Sequence, residues 1–457
     1  MHKIPNDFLT DMKPLLGDAY NAFEKAMLEG EPQKGLRVNT LKVSCADFEE
    51  VAPFALQKSV LCTEGYIVTA EERAGSHVYH HAGLYYMQEP SAGCVIEALA
   101  PTKGMRVLDL CAAPGGKSGH IAARLAQSGL LVANECVASR AKILRSNLER
   151  LGVRNACVTS AMPDRVATAF PSYFDAVVVD APCSGEGMFR KEESACTDWS
   201  REHAKSCAQR QRSILDSAAE TVAADGILLY STCTLNPWED ERVIDDFLKA
   251  HPEFVIEAID AVKLPPAHPE WCDASPELRL AAKLMPHEID GEGHFVARLR
   301  RRDGNRCDSY ATPKKVAVRA LTKEEHKILN NFWDEQFTCP MWTEPVVCGE
   351  LVYLPTEQPN LPIICSGIPV GTVKGARFEP EHALYMALAA KDIRNICRFA
   401  PNDPVLDRYL AGEEIPWDAE KGYGAVCVGE ETFCTPLGFG KASGGVLKNK
   451  YPKGLRR

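Results

Sequence analysis

The sequence has no long apolar run. Its strongest stretches, such as Gly226-Ile227-Leu228-Leu229-Tyr230, fall far short of the roughly 20 residues a helix needs to span a bilayer, so no membrane role is expected. An apolar signal-like segment near the start is also missing. The 18 cysteines, diluted in 457 residues, are therefore expected as reduced thiols of a cytoplasmic protein and not as a secreted disulfide framework. Basic residues are outnumbered, with 52 Lys and Arg against 62 Asp and Glu for a net charge of -10. A nucleic-acid partner would have to be met by a local basic surface, because the field of the whole molecule opposes it. Internal repeats and low-complexity tracts are absent. What is present, 45% apolar and 25% charged residues, excludes a disordered or fibrous chain, and the length allows about three domains.

The opening segment, Ile4 to Met27, spaces Phe8, Leu9, Met12, Leu15, Leu16, Tyr20 and Phe23 at helical intervals. Short β-rich runs and the aromatic stretch Tyr79 to Tyr86 follow, and residues 1–94 are expected to form a small α+β unit. From about Val95 to Arg302, apolar strands alternate with helical segments, the pattern of a parallel sheet with crossover helices. The expected strands are Arg106–Leu110, Gly129–Ala133, Asn155–Thr159, Phe174–Asp180 and Gly226–Ser231, and their near-continuous apolar character implies burial on both faces. Arg301 to Lys315 reads as a polar linker. Residues 316–457 read as separate material: a helix over Leu321–Phe337, then short strands, then a basic end carrying Lys441, Lys448, Lys450, Lys453, Arg456 and Arg457 without an acid.

Three runs carry the chemistry. Asp109-Leu110-Cys111-Ala112-Ala113-Pro114-Gly115-Gly116-Lys117-Ser118 forms a strand, a glycine turn and a helix start. Such a turn brings unpaired helix N–H groups close to a nucleotide-like ligand, although the run is neither a G-x-G-x-x-G fingerprint nor a P-loop. Glu135 stands 19 residues after Gly116 at the end of the next strand, where an acid accepts ribose hydroxyls or simply caps a helix. Asp180-Ala181-Pro182-Cys183-Ser184-Gly185 and Ser231-Thr232-Cys233-Thr234 then deliver two cysteines to the carboxyl ends of two strands. In a doubly wound sheet those ends line one crevice. No metal is expected, because neither thiol has a second Cys or His at ligand spacing.

These runs resemble the Nol/Nop/Sun family of S-adenosylmethionine-dependent RNA cytosine carbon-5 methyltransferases. The layout of the whole chain is similar to the family's RsmF-like bacterial branch, which acts on small-subunit ribosomal RNA. Arg37-Val38-Asn39-Thr40, Tyr86-Met87-Gln88-Glu89-Pro90-Ser91-Ala92 and Gly291-Glu292-Gly293-His294-Phe295 resemble segments flanking the family's catalytic motifs. Lys374 to Leu384, Pro436 to Lys441 and Leu447 to Arg456 are similar to the branch's PUA-like RNA-binding end.

The resemblance implies an α/β protein with a Rossmann-like methyltransferase core at 95–303, an N-terminal α+β RNA-binding unit at 1–94, and a C-terminal region at 316–457 with a PUA-like end. It implies S-adenosylmethionine held by Cys111, Ala112, Ala113, Pro114, Gly115, Gly116, Lys117, Glu135, Arg140 and Asp180. Two thiols suit this reaction. Carbon 5 of cytosine becomes nucleophilic only after a thiolate adds to carbon 6, and that thiol must later leave. Spacing does not say which thiol attacks; the resemblance implies Cys233 as nucleophile and Cys183 as the group that assists release. Asp180 would steady charge on the ring, or face the cofactor instead. Lys117, Arg190 and Lys191 would meet phosphates or tune a thiol, with solvated surface as the alternative for Arg190 and Lys191.

Two positions depart from the family pattern. Glu135 stands where Asp is common, and Met162 stands where many members place an acid against adenine, leaving apolar packing or Asp164 for that contact. The tail cations, Arg298, Arg300, Arg301 and Arg302 are expected to grip RNA phosphates, and N-terminal Phe and Tyr residues to stack bases. The expected partner is 16S rRNA or the small ribosomal subunit, met by a monomer. Competing readings are a transfer RNA cytosine methyltransferase and a non-catalytic ribosome-assembly factor.

Overall fold

The computed structural model describes residues 4–69, 72–312, 318–430 and 433–457. Its centre is a nine-stranded sheet flanked by helices. The strands are β1 Arg106–Asp109, β2 Leu130–Asn134, β3 Ala156–Thr159, β4 Phe174–Asp180, β5 Val222–Thr232, β6 Phe254–Glu257, β7 Ala282–Leu284, β8 His294–Arg301 and β9 Ile363–Ser366. They lie in the order β6-β8-β5-β4-β1-β2-β3-β9, with β7 paired to β8. The five strands from β3 to β5 are parallel, while β6, β7, β8 and β9 pair antiparallel.

The apolar strand runs are explained by two cores, one on each face. Leu108, Val132, Val177, Leu228 and Tyr230 pack beneath helices α3 Pro163–Ala169, α4 Arg201–Thr221 and α5 Glu241–Ala250. Their chain neighbours Val107, Leu131, Val178, Ile227 and Leu229 face α1 Gly116–Leu125 and α2 Ala138–Leu151. Each fully buried aliphatic side chain contributes about 1.5–3 kcal/mol, so alternate residues of every central strand stabilise opposite faces. Among the described residues no helix is long and apolar enough to cross a membrane.

The N-terminal segment folds as two helices, Asn6–Leu16 and Tyr20–Glu29, followed by a four-stranded antiparallel sheet. Its aromatics are core residues: Phe8, Phe23, Phe48, Tyr79 and Tyr85 are each no more than 2% exposed, which removes them as base-stacking surfaces. A buried polar seam joins this unit to α1. There Arg124 donates to Glu64 at 2.8 Å and Glu97 at 2.6 Å, and His120 lies 3.2 Å from Glu64.

Two five-stranded sheets occupy the C-terminal third. The last of them shares a core with the N-terminal unit, through Tyr409, Ile415, Val426 and Leu447 against Leu36, Val38 and Tyr85. The C-terminal third is less separate than expected, because β9 extends the central sheet beside β3, with Cys365 opposite Val158. The expected linker is also pinned where it is described. Cys307 N–H donates to Ser172 O and Ala311 N–H to Ala169 O, and Tyr310 packs tilted against Phe170 and edge-on to Tyr173; residues 313–317 lie outside the described residues.

Candidate active site

The strand-end crevice is built by backbone ties. Asn134, 1% exposed, donates to the carbonyls of Leu110 and Ala161 and accepts from Thr159 Oγ1 and Ala161 N, knitting the ends of β1, β2 and β3. The glycine turn follows β1. Gly115 has φ +113, and a Cβ at Gly116 would lie 3.0 Å from the Tyr86 ring, so only glycine lets this backbone follow its path. Three side chains hold its carbonyls: Arg140 on Ala113 O at 3.2 Å, Asn147 on Pro114 O at 2.9 Å and Arg37 on Gly116 O at 3.1 Å. Asn147 carried no sequence signal, since it lies far from the motif in the chain, whereas Arg37 opens the Arg37–Thr40 run noted for its family resemblance.

Glu135 sits at the carboxyl end of β2, 3% exposed. One oxygen accepts from Val137 N–H at 3.0 Å and the other faces Arg140 at 3.4 Å. Asp109 is fully buried; Ser118 Oγ donates to Oδ2, and Oδ1 has no partner among the described residues. Burial pushes the Asp109 carboxyl up to about 7 against the Ser118 hydrogen bond. Cys111 lies beside this acid, and burial and its carboxylate neighbours raise its thiol well above the ordinary range.

Lys117 and Asp180 form an ion pair at 2.8 Å, and Ser231 Oγ donates to the other Asp180 oxygen at 2.8 Å. Burial would raise Asp180, but Lys117, His294 and these hydrogen bonds outweigh it and hold the carboxyl below its usual range. His294 was not singled out by sequence as a functional residue. It is 3% exposed, its Nε2 lies 3.9 Å from Asp180, and neither ring nitrogen has a hydrogen-bond partner among the described residues. Burial, then Lys117, pushes its imidazole down to about 4.

The two cysteines meet. Cys183 Sγ and Cys233 Sγ are 3.4 Å apart, delivered by the loops after β4 and β5. Cys183 is held as a thiol: its hydrogen bond to Cys233, then burial, raises it well above the ordinary value. A thiol pair beside a Lys–Asp pair is equipped for covalent attack on an electron-poor ring and for proton handling around it.

Other expected cations are committed elsewhere. Arg298 donates to the carbonyls of Ala98 and Leu99, Arg300 pairs with Glu257 and Arg301 donates to Val222 O, so these three are structural and not free for phosphates. Arg190 pairs with Glu292 at 2.7 Å and Lys191 reaches the same carboxylate at 3.6 Å. Arg456 donates to Tyr451 O and Arg457 to Asp407, and both arginines remain exposed at the surface. Lys441 lies over the Tyr423 ring, 5.0 Å from its centre.

The β6-β8-β5-β4-β1-β2-β3 order, the glycine turn after β1 and an acid ending β2 define an S-adenosylmethionine-dependent methyltransferase. The model for the 16S rRNA methyltransferase RsmB/F matches residues 96–300. Models for the N-terminal domain of 16S rRNA methyltransferase RsmF and for the methyltransferase RsmF PUA domain match 4–90 and 398–457. The chain is 32% identical to ribosomal RNA small subunit methyltransferase F of Erwinia tasmaniensis over 99% of its length and 97% of that protein. It is 31% identical to the protein of the same name from Escherichia coli, over 99% and 96%. A methyltransferase homologue from Pyrococcus horikoshii superposes with a TM-score of 0.57 at 27% identity, covering 65% of this chain and 100% of that one. NSun6 from the same organism, solved with SFG, shares the fold with a TM-score of 0.56 at 19% identity, over 66% and 99%. The chain belongs to the RsmB/F family of 16S rRNA methyltransferases.

The site fits S-adenosylmethionine. The helix α1 begins directly at the glycine turn, and the oxygen of buried Asp109 that has no partner among the described residues is an acceptor open to a donor such as the ligand's ammonium group.

Proposed function

We propose that this chain methylates carbon 5 of cytosine in 16S rRNA through a covalent thiol adduct, acting as a cytoplasmic monomer on the free RNA or the small subunit. We also propose that 1–94, 95–303 and 316–457 are its RNA-binding, catalytic and PUA-ended units. The observation that carries the reading is the 3.4 Å approach of Cys183 and Cys233 beside the Lys117–Asp180 pair.

In this reading Cys111, Ala112, Ala113, Pro114, Gly115, Gly116 and Lys117 cradle the methyl donor, Glu135 meets its ribose, and Arg140 holds the turn from outside. S-adenosylmethionine supplies an electrophilic methyl group when bound. Cys233 adds as thiolate to carbon 6, and Asp180, kept ionised by Lys117, balances positive charge on the ring or its amino group. Cys183, kept as a thiol, has a proton to give and stands next to the sulfur that must depart. A base, which can be water, takes the carbon-5 proton, and the electron pair of that C–H bond reforms the carbon 5–carbon 6 double bond. The C–S bond breaks, and Cys183 gives its proton to the departing Cys233 sulfur. Exposed Val137 and Met162, 45% and 59% accessible beyond the ends of β2 and β3, offer adenine the apolar contact that replaces an acid.

Bisulfite sequencing of 16S rRNA from cells with and without the gene tests the proposal. Loss of one or more 5-methylcytosines from 16S rRNA is expected. An unchanged 16S pattern with a loss in transfer RNA contradicts it.

A further inference from the structure

Two carboxylates lie beneath the thiols, fully buried, and each reaches across to the other cysteine's loop. Glu186 follows Cys183 in the chain. One of its oxygens accepts from the backbone N–H groups of Leu235 and Asn236, just beyond Cys233, at 3.0 and 2.8 Å. Its other oxygen accepts from Asn236 Nδ2 and Trp199 Nε1, both at 2.9 Å. Glu239 follows Cys233. It accepts from Ser184 N–H, the residue after Cys183, at 2.9 Å and from Gln211 Nε2 at 2.9 Å. Its second oxygen accepts from Ser184 Oγ at 2.5 Å and Asn236 Nδ2 at 2.8 Å.

The exchange is reciprocal: each loop donates a carboxylate that captures the backbone of the other. Further ties close it, with Gly187 N–H on Cys233 O at 2.9 Å and Asn236 Nδ2 bridging both acids. Gly187 has no room for a side chain, since its Cβ would lie 2.8 Å from Cys233 O. Burying two carboxylates is costly unless donors surround them. Packing the loops would need no such charges, whereas fixing backbone atoms on both sides of two thiols does need strong directional acceptors. From Lys283, buried among Asp240 and Glu241, a third contact reaches Leu235 O at 3.0 Å and fixes the same loop from below.

We infer that Glu186 and Glu239 are positioning residues, a reciprocal latch that sets the separation of Cys183 and Cys233. The inference rests on the reading of those thiols as the catalytic pair. In Glu239→Gln, an amide N–H replaces an acceptor in a pocket of donors, so at least one bond becomes a clash while size is kept. The loop carrying Ser184 is released, and the thiols drift apart.

Two readouts on the full-length protein test this. One is kcat and KM for methyl transfer from tritiated S-adenosylmethionine to unmodified 16S rRNA. The other needs no catalysis: diamide takes the hydrogen from each of two thiols, becoming a hydrazine and leaving an S–S bond, and the rate of Cys183–Cys233 bond formation is followed by peptide mass spectrometry. In Glu239→Gln that is folded by circular dichroism, kcat is expected to fall by about 10²-fold, with both KM values held within about twofold. The S–S bond should form markedly more slowly. A role confined to stability would lower the unfolding midpoint and leave both rates per folded molecule unchanged, which overturns the inference. Should Glu239→Gln fail to fold, Ser184→Ala, which removes only one donor, is expected to slow both rates by a smaller factor, and wild-type rates in it overturn the latch. Full methylation by Cys233→Ala would defeat the reading of the thiols, and the S–S rate would then decide the latch alone.

Discussion

Lys117 Nζ lies 2.8 Å from Asp180 Oδ2, tying the first turn of α1 to the carboxyl end of β4. Burial would drive the lysine neutral, yet Asp180 and the nearby Cys233 keep its pKa above the usual value. Both partners are thus ionised at neutral pH, at the point where the glycine turn meets the thiol pair. Lys117→Met leaves Asp180 without its counter-ion, and methyl transfer is expected to fall by about 10²–10³-fold, the usual consequence of removing one charge-stabilising group. Single-turnover tritium transfer measures it, and an unchanged rate would remove Lys117 from the site.

Gly115→Ala places a Cβ at φ +113, 3.1 Å from Leu144 Cδ1. The strain is expected to cost about 1–3 kcal/mol and to displace the cradle. Urea denaturation and calorimetric titration with S-adenosylmethionine should show a lower midpoint and weaker binding. Wild-type affinity would mean that the ligand does not sit against this turn.

A chain ending at Thr312 loses β9 and exposes the β3 edge, whose residues 157–159 now pair with 363–366. Open strand edges recruit other chains. The truncated protein is expected to unfold at lower temperature and to aggregate at concentrations where the full chain stays monodisperse by light scattering. Equal behaviour would show that the catalytic sheet needs nothing from beyond residue 312.

Acid should weaken the fold through buried histidines. Burial pushes His80, His120 and His382 down to about 3 and His294 to about 4, from an ordinary 6.5. Below 6.5 the unfolded chain binds protons that the folded chain refuses, so stability present above that pH is lost as pH falls toward 4. Arg37 adds to the effect at His120 while Glu64 opposes it. The urea midpoint is expected to be lower at pH 5 than at pH 7.5, and His120→Asn should make the decline shallower by about one proton's worth. An identical slope in the variant contradicts this.

Much of the architecture was legible because parallel strands buried on both faces are written as unbroken apolar runs: Phe174–Asp180 is a strand over the expected residues, and the others differ by a residue or a few at the ends. The family motifs were legible for the same reason of locality, each being a strand end and the turn after it. What escaped was non-local. Nothing around Ile363 marks it as the partner of Thr159, since a short antiparallel strand looks the same wherever it docks. Arg298 and Arg301 read as a basic patch because sequence shows their charge and hides the Ala98, Leu99, Ala219 and Val222 carbonyls that absorb it. N-terminal Phe and Tyr residues read as stacking surfaces, whereas Phe8 and Tyr85 pack as core against Phe189 and Phe48. Glu186 and Glu239 sit inside motifs whose cysteines draw attention, and their role emerges only when the loops are seen crossing.

The central claim is tested most directly by trapping the intermediate. Cys183→Ala protein, incubated with unmodified 16S rRNA and S-adenosylmethionine, should accumulate a protein–RNA adduct stable in denaturant, and peptide mass spectrometry should place the methylated cytosine on Cys233. An adduct on another residue, or methylated RNA released at the normal rate with no adduct and an unaffected Cys233→Ala variant, would contradict it.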